Sequence, residues 1–456
     1  MSRPMISVAG IRGIVGDSLL PEEFLRYVLA FATLVDGGPV VVGSDSRLSR
    51  EMMRHLAFAG LTSAGCTVHD IGLAPTPTVG MMVRQYECVG GIAITASHNP
   101  AQWNAYKFFD AHGSFLDEAA NARLLEIAAT GEFRRCGFKE LGKVIARHDA
   151  IDRHVTAVLE HVDVDRIRAR KFRVVVDCVN GVGSRIVPLL LERLGCEANV
   201  LYTNVDAEFP HNPEPLPENL AMLSKSIEKL KPDVGFAVDP DADRLAIADE
   251  TGRPIGEERT LTLAAAAALE RAESEGKPLG PLVANLSTTR AMDDVAARFG
   301  VRLFRTPIGE AHVVARIRSE HALIGGEGNG GVIYPPVHHG RDAATGIALI
   351  LDALARAGDN VKVSELNSRV PDYIMIKTKF DVKGPLVDTL ADAMRTEFAD
   401  ASELVTEDGV KAVYPDCWVH ARPSGTEPVV RIFAEAPDQP KASALVKRAR
   451  KAVIGD

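Results

Sequence analysis

Asp239-Pro240-Asp241-Ala242-Asp243-Arg244 sets three carboxylates at alternate positions on a loop between two apolar runs. Charges of one sign that close together repel unless a hard cation is shared among them, and oxygen donors suit Mg²⁺ or Ca²⁺. Glu250 falls at the twelfth position of an EF-hand count, but Arg244 stands where that loop needs glycine, and the flanks read as strands. A solvated acidic turn is the plain alternative, and the apolar flanks argue against it. A second loop, Thr95-Ala96-Ser97-His98-Asn99-Pro100, follows the apolar run Gly90–Thr95 and puts a hydroxyl where open α/β sheets bind ligands. A hydroxyl needs a base, a metal or a good electrophile to act, and His98, adjacent in an extended chain, would point elsewhere. A turn closing before Pro100 would use the same residues.

Two further loops suit a polar, anionic ligand. Gly325-Gly326-Glu327-Gly328-Asn329-Gly330-Gly331 offers close backbone approach, with one carboxylate and one amide able to pair with hydroxyl groups. No Gly-Lys-Ser/Thr follows, so it is not a Walker loop. A flexible hairpin has the same composition. Arg422-Pro423-Ser424-Gly425-Thr426-Glu427-Pro428, with Arg431 beyond, combines guanidinium groups, hydroxyls and glycine-exposed N–H groups, as a phosphate cradle would. A capped turn again reads alike. Asn180-Gly181-Val182-Gly183 lacks the third glycine of a dinucleotide fingerprint, because Ile186 occupies that place.

Strand-like runs bounded by turns alternate with helical patterns, which predicts βαβ units. Strands are expected at Pro39–Gly43, Gly90–Thr95, Phe172–Asp177, Val234–Val238, Leu245–Ala248, Pro281–Leu286, Val301–Phe304 and Ala322–Ile324. Ser49 is expected to cap a helix running to Ala64, and Arg185–Leu194 to form another. From about Asp372 the pattern changes to an α+β module, with strands at Tyr373–Lys379, Trp418–Ala421 and Val429–Ala434 and a helix near Val387–Phe398. Boundaries fall near 150, 256 and 366. They give units 1–150, 151–256, 257–366 and 367–456, three α/β and one α+β.

The chain has 456 residues, 46% hydrophobic and 25% charged, with a formal net charge of −9. Those are globular values, and the balance disfavours a nucleic-acid partner. Six cysteines without a paired spacing fit a reducing compartment, where Cys88 and Cys178 serve as small core residues. The N-terminus lacks a charged and apolar leader, and LTLAAAAALERA breaks too early to span a bilayer. A cytoplasmic protein, monomer or homodimer, with no membrane partner is expected. His338-His339 reads as polar surface, because no third metal ligand presents itself.

Taken together and in this order, the four loops resemble the α-D-phosphohexomutase superfamily, with the likeness covering essentially the whole chain. Gly10-Ile11-Arg12-Gly13 and Gly43-Ser44-Asp45-Ser46-Arg47 add two smaller matches. The resemblance implies a four-domain, heart-shaped α/β protein, three similar domains with mixed sheets and a C-terminal α+β domain, each contributing one loop to a central cleft. It implies that Ser97 is phosphorylated and that Mg²⁺ is held by Ser97, Asp239, Asp241 and Asp243. Glu327 and Asn329 would then recognise the sugar, while Arg422, Ser424, Gly425, Thr426 and Arg431 would hold its distal phosphate. Arg12, Arg244 and Lys107 belong in the cleft by the same likeness, with Lys107 or His98 moving the proton. A phosphorylated hexose is the implied substrate and a hexose 1,6-bisphosphate the activator. Gly328, Asn329 and Ala105 depart from commoner forms of these motifs, and the texture at Gly340–Ala343 is most like a divergent phosphoglucosamine mutase branch. Phosphomannomutase or phosphoglucomutase activity is the nearest alternative; a metal-dependent phosphatase or a non-catalytic phosphosugar-binding protein is the more distant one.

Overall fold

The computed structural model describes residues 4–7, 10–381, 386–423 and 429–454. Four sheets follow one another along the chain. The first has seven strands, in the spatial order Met5–Ser7, Gly10–Ile14, Trp103–Phe109, Gly90–Ile94, Val40–Ser44, Val68–Leu73, Val144–Ala146. Its β-branched central strands pair in parallel, and Trp103–Phe109 returns antiparallel beside Gly90–Ile94. The second sheet repeats that plan. Val234–Val238 runs parallel to Arg173–Asp177, and Leu245–Ala248 folds back on it. So does the third, where Ile324–Glu327 is parallel to Leu282–Asn285 and antiparallel to Gly331–Ile333. The fourth is a five-stranded antiparallel sheet, with Trp418–Pro423 and Val429–Ala436 adjacent. Each of the four chemically interesting loops is thus the connection of an antiparallel strand pair, and in the first three it leaves the carboxyl end of a parallel strand, as open α/β sheets place their ligands.

The second and third sheets share one apolar core, whereas the first and fourth keep their own. Helix Glu257–Ser274, which contains the alanine run, is buried over most of its length, as is Ala343–Ala357. Among the described residues no helix is long and apolar enough to cross a membrane.

Two strands start later than the sequence suggests. They occupy Leu303–Thr306 and Ile324–Glu327 rather than Val301–Phe304 and Ala322–Ile324. The apolar residue that opens each expected strand belongs to a helix ending. Gly300 and His321 turn left-handed, and the next amides, of Val301 and Ala322, bond back to Ala296 and Ile317. Ser49 does precede a helix, Arg50–Ser63, but it does not cap it; its hydroxyl accepts from Asn104 Nδ2 at 2.8 Å.

His420, on Trp418–Pro423, is buried between the third and fourth sheets. Its Nδ1 meets Ser287 Oγ at 2.9 Å and its Nε2 meets the Asp408 carbonyl at 2.5 Å. Burial, aided by Lys411, pushes its pKa from 6.5 down to about 4. A folded-state pKa below the unfolded value means that the unfolded chain binds the extra proton, so stability falls as pH drops below 6.5. His420→Gln is expected to remove roughly 2 kcal/mol of the stability lost between pH 6.5 and 5, read by denaturant titration at both pH values.

Candidate active site

Ser97 adopts φ +50, so the chain turns sharply after its strand and the hydroxyl is aimed inward. Arg47 enforces this turn. Held by Asp45 at 3.1 Å, its guanidinium donates to the carbonyls of Ser97 (2.6 Å), Asn99 (2.7 Å), Pro100 (2.6 Å) and Trp103 (3.0 Å). Asp45 also accepts from Thr95 Oγ1, which in turn accepts from the Ser97 amide. The same turn brings His98 Nδ1 to 3.4 Å from Ser97 Oγ. An extended chain would turn His98 elsewhere, and the backbone there is not extended. Burial and then Arg244, Arg12 and Arg341 lower the His98 pKa well below its ordinary value, so its imidazole is neutral. Arg12 donates to Asn99 Oδ1 at 3.0 Å. Removing the Arg47 clamp leaves Ser97 mispositioned, and Arg47→Ala is expected to lower turnover by about 100-fold with substrate binding changed far less, checked by steady-state kinetics.

Ser97 Oγ donates to Asp239 Oδ2 at 2.7 Å, across 142 residues of sequence. Asp239, Asp241 and Asp243 are all buried, with one ligand atom from each lying within 4.8 Å of the others. Asp239 Oδ1 accepts the amides of Asp243 and Arg244, which winds the loop tightly. Asp241 Oδ2 accepts from Thr76 Oγ1 at 2.6 Å and Lys107 Nζ at 2.7 Å. Asp243 Oδ2 accepts from Arg341 at 2.7 Å. Burial and the two neighbouring carboxylates drive the Asp239 pKa well up, whereas Lys107 and Thr76 outweigh burial and hold Asp241 down. Asp241 Oδ1 and Asp243 Oδ1 are buried with no hydrogen-bond partner among the described residues. Orphaned carboxylate oxygens are costly in a protein interior, and these two fit a divalent cation, which needs such donors. Lys107 is buried and charged, since Asp241 and Asp243 together outweigh the penalty of burial.

Its own unit and both neighbouring ones grip the aspartate loop through backbone bonds. Thr76 N donates to the Asp241 carbonyl, Val182 N to that of Pro240 and Ala343 N to that of Ala242. The Asn180-Gly181 turn therefore packs on this loop rather than on a dinucleotide. Leu245 N donates to the Gly330 carbonyl at 3.0 Å, and a Cβ on Gly330, at φ +88, would meet Leu245 O at 2.4 Å. The glycine-rich loop thus sits directly against the aspartate loop. There Glu327 Oε1 accepts from Asn285 at 2.9 Å and the Gly309 amide at 3.1 Å, and Oε2 accepts from Arg341 at 3.0 Å. Against the cost of burial, Arg341 keeps this carboxyl ionised. Asn329 Oδ1 accepts the Gly331 amide, and its Nδ2 reaches Glu327 at 3.5 Å. The side chain missing at Gly328 is replaced in space by Glu258, whose carboxylate would overlap a Cβ there and pairs with Lys377 at 2.7 Å.

The fourth loop is tied to the third through one carboxylate. Arg422 Nε donates to Asp408 Oδ1 at 3.0 Å, and Asp408 Oδ2 accepts the Ile308 amide beside Gly309. Arg422 and Arg431 stand directly opposite on adjacent antiparallel strands. Like charges so placed repel, an arrangement suited to a shared anion. Ser424, Gly425 and Thr426 lie outside the described residues. Arg244 donates to Glu214 at 3.2 Å and its Nε is buried without a hydrogen-bond partner among the described residues.

Several groups at this centre escaped the sequence reading. Arg341 bonds Asp243, Glu327 and Glu310 at once, and Thr76, Asn285 and Asp408 orient the acids and Arg422. The Gly340–Ala343 motif was the only signal that pointed near any of them. His338 is not surface but buried, 4% exposed.

A serine hydroxyl thus lies beside a cluster of acids suited to a cation, with an ionised glutamate on the neighbouring glycine-rich loop and two arginines opposite one another on the last sheet. Four family models match in order: phosphoglucomutase/phosphomannomutase α/β/α domain I over residues 4–135, domain II over 152–252, domain III over 257–373 and the C-terminal domain over 365–452. The chain belongs to the phosphoglucomutase/phosphomannomutase family. It is 38% identical to a phosphoglucomutase/phosphomannomutase of Thermococcus kodakarensis, over 95% of this chain and 94% of that protein. It is 34% identical to a phosphoglucosamine/phosphogalactosamine mutase of Sulfurisphaera tokodaii, over 98% of both. A phosphoglucomutase/phosphomannomutase family protein of Burkholderia thailandensis superposes with a TM-score of 0.85 at 28% identity, covering 98% of each chain.

Proposed function

We propose that this enzyme interconverts hexose 6-phosphate and hexose 1-phosphate, with glucosamine phosphate as the preferred hexose and glucose or mannose phosphate the alternatives. The 2.7 Å contact of Ser97 Oγ with Asp239, inside the triple-aspartate loop, carries this reading. The chain divides near residues 150, 256 and 366 into units for the nucleophile, the cation, the sugar and the distal phosphate. Phosphorylated Ser97 gives its phosphoryl group to the free hydroxyl of the bound sugar phosphate, forming a 1,6-bisphosphate, and takes back the other phosphate after the intermediate turns over.

Asp239, Asp241 and Asp243 would hold Mg²⁺ with the Ser97 phosphate, and the ion when bound draws charge from the phosphoryl oxygens. Arg12, Arg244 and Lys107 would neutralise the remaining charge. Of the two candidates for moving the proton, neutral His98 would accept it from the attacking hydroxyl, whereas Lys107, an ammonium ion here, would act as the proton donor. Glu327 and Asn329 pair with sugar hydroxyls, and Arg422 and Arg431, with Ser424, Gly425 and Thr426, take the phosphate that is not reacting. Glycine backbone and bidentate groups accept the sugar in both orientations, as this cycle requires.

Incubation with glucosamine 1-phosphate and a trace of hexose 1,6-bisphosphate tests the reading. Appearance of 6-phosphate supports it; free phosphate would indicate a phosphatase, and no change a binding protein. Relative turnover on glucosamine, glucose and mannose phosphates ranks the hexoses. Chelation by EDTA is expected to lower the rate by about 1000-fold or more, and Mg²⁺ to restore it, a range consistent with several kcal/mol of charge stabilisation.

A further inference from the structure

We infer that His154, His338 and Asp342 form a second metal site, for a zinc-type transition ion, separate from the aspartate loop. His154 lies on helix Ala150–Leu159, and His338 and Asp342 lie between strand Gly331–Ile333 and helix Ala343–Ala357. All three side chains are buried, and one donor atom from each falls within 4.8 Å of the others. Asp342 Oδ2 is 2.9 Å from His154 Nε2 and 3.4 Å from His338 Nε2. Tetrahedral zinc with bonds of about 2.0–2.1 Å places its donors roughly 3.3 Å apart, and the two distances bracket that value.

A purely hydrogen-bonded cluster leaves one group poorly satisfied. His154 is satisfied without a metal, because Thr78 Oγ1 meets its Nδ1 at 2.8 Å while Nε2 faces Asp342. His338 Nε2 is held more loosely: it is buried, 3.4 Å from the same carboxylate, and makes no well-aligned hydrogen bond among the described residues. An ion at the centre accepts that lone pair. The outer contacts match those that orient metal ligands, with Thr78 on the far nitrogen of His154 and the Ala344 amide on Asp342 Oδ1, while Thr345 donates to the facing oxygen, Oδ2. Two imidazoles and a carboxylate select zinc-type ions over Mg²⁺, which prefers all-oxygen sites. Water supplies the fourth donor.

The site is placed to brace the catalytic centre from behind. Asp342 follows Arg341, which holds Asp243 and Glu327, and Thr78 is on the helix whose Thr76 holds Asp241. An ion here ties the elements carrying both of those groups together.

The full-length protein is incubated with Zn²⁺ in excess Mg²⁺, passed through gel filtration, and analysed for metal content and by zinc X-ray absorption. About one zinc ion per chain with imidazole nitrogen ligands is expected. His154→Ala and His338→Ala should each lose it, whereas Asp239→Asn/Asp241→Asn should keep it. Wild type that retains no zinc, or zinc that is lost in the aspartate variant and kept in the histidine variants, overturns the site. If the histidine variants do not fold, the wild-type metal content and spectrum decide alone.

Discussion

Ser97→Ala is expected to yield a folded enzyme whose turnover falls by about 10⁴-fold or more, and which no longer takes up a covalent phosphoryl group from a hexose 1,6-bisphosphate. The fold should survive because alanine keeps the Cβ that already tolerates φ +50, and the lost hydroxyl bond to Asp239 is one of several around that loop. A single buried hydrogen bond contributes about 1 kcal/mol. Activity should not survive, since Ser97 supplies the hydroxyl that Arg47, through the Ser97 carbonyl, holds against Asp239 of the aspartate loop. Intact mass before and after incubation with the bisphosphate reads the covalent step, and coupled kinetics read turnover. A variant that still gains a phosphoryl group, or works within tenfold of wild type, would remove Ser97 from the mechanism. The contrast with Arg47→Ala is informative: that variant should still accept the phosphoryl group but pass it on slowly.

The nucleophile loop and the aspartates were visible in sequence because their chemistry is local. Three carboxylates within five residues, or a hydroxyl closing an apolar strand, announce themselves without knowledge of the fold. The residues that hold them in place work at long range. Arg341 meets Asp243 across 98 positions, Thr76 meets Asp241 across 165, and Arg47 meets Ser97 across 50. Arg341 and Thr76 are single ordinary residues whose roles exist only once neighbouring sheets are assembled, whereas Arg47 and Ser97 follow adjacent strands of one sheet and Arg47 lies in a short motif already visible in the sequence. His338 shows the same effect in reverse. Its ligand partners, Asp342 aside, come from another sheet's helix, so the pair His338-His339 reads as surface until His154 is placed beside it. Strand positions failed where apolar residues had a second use: Val301 and Ala322 seal helix ends, and periodicity alone cannot separate that from the first residue of a strand. Ser49 was misread for a related reason, because a serine before a helix satisfies the capping pattern whether its hydroxyl turns to the helix or to Asn104.

Arg341→Met should be the most destabilising single change at the centre. The guanidinium is buried and bonds three carboxylates: Asp243 at 2.7 Å, Glu310 at 2.8 Å and Glu327 at 3.0 Å. Methionine fills much of the space but leaves those acids without their shared cation, and stranding one partner of a buried ionic cluster costs about 3–5 kcal/mol. Part of that cost can be escaped by protonation. Burial has already raised the Glu310 pKa to about 7 with Arg341 present, and loss of the arginine pushes it higher still. A carboxyl whose folded-state pKa lies above its unfolded value weakens the fold as pH rises through that range, so the deficit of Arg341→Met should be larger at pH 8 than at pH 6. Denaturant titration of both proteins at the two pH values measures this. Adding Glu310→Gln to the variant should recover part of the deficit at pH 8 and little at pH 6, because the amide removes the charge that protonation otherwise removes. A deficit below about 1 kcal/mol at both pH values would mean that the three acids do not depend on this arginine, and that their ionisation is balanced by Lys107, Arg12 and Arg244 instead.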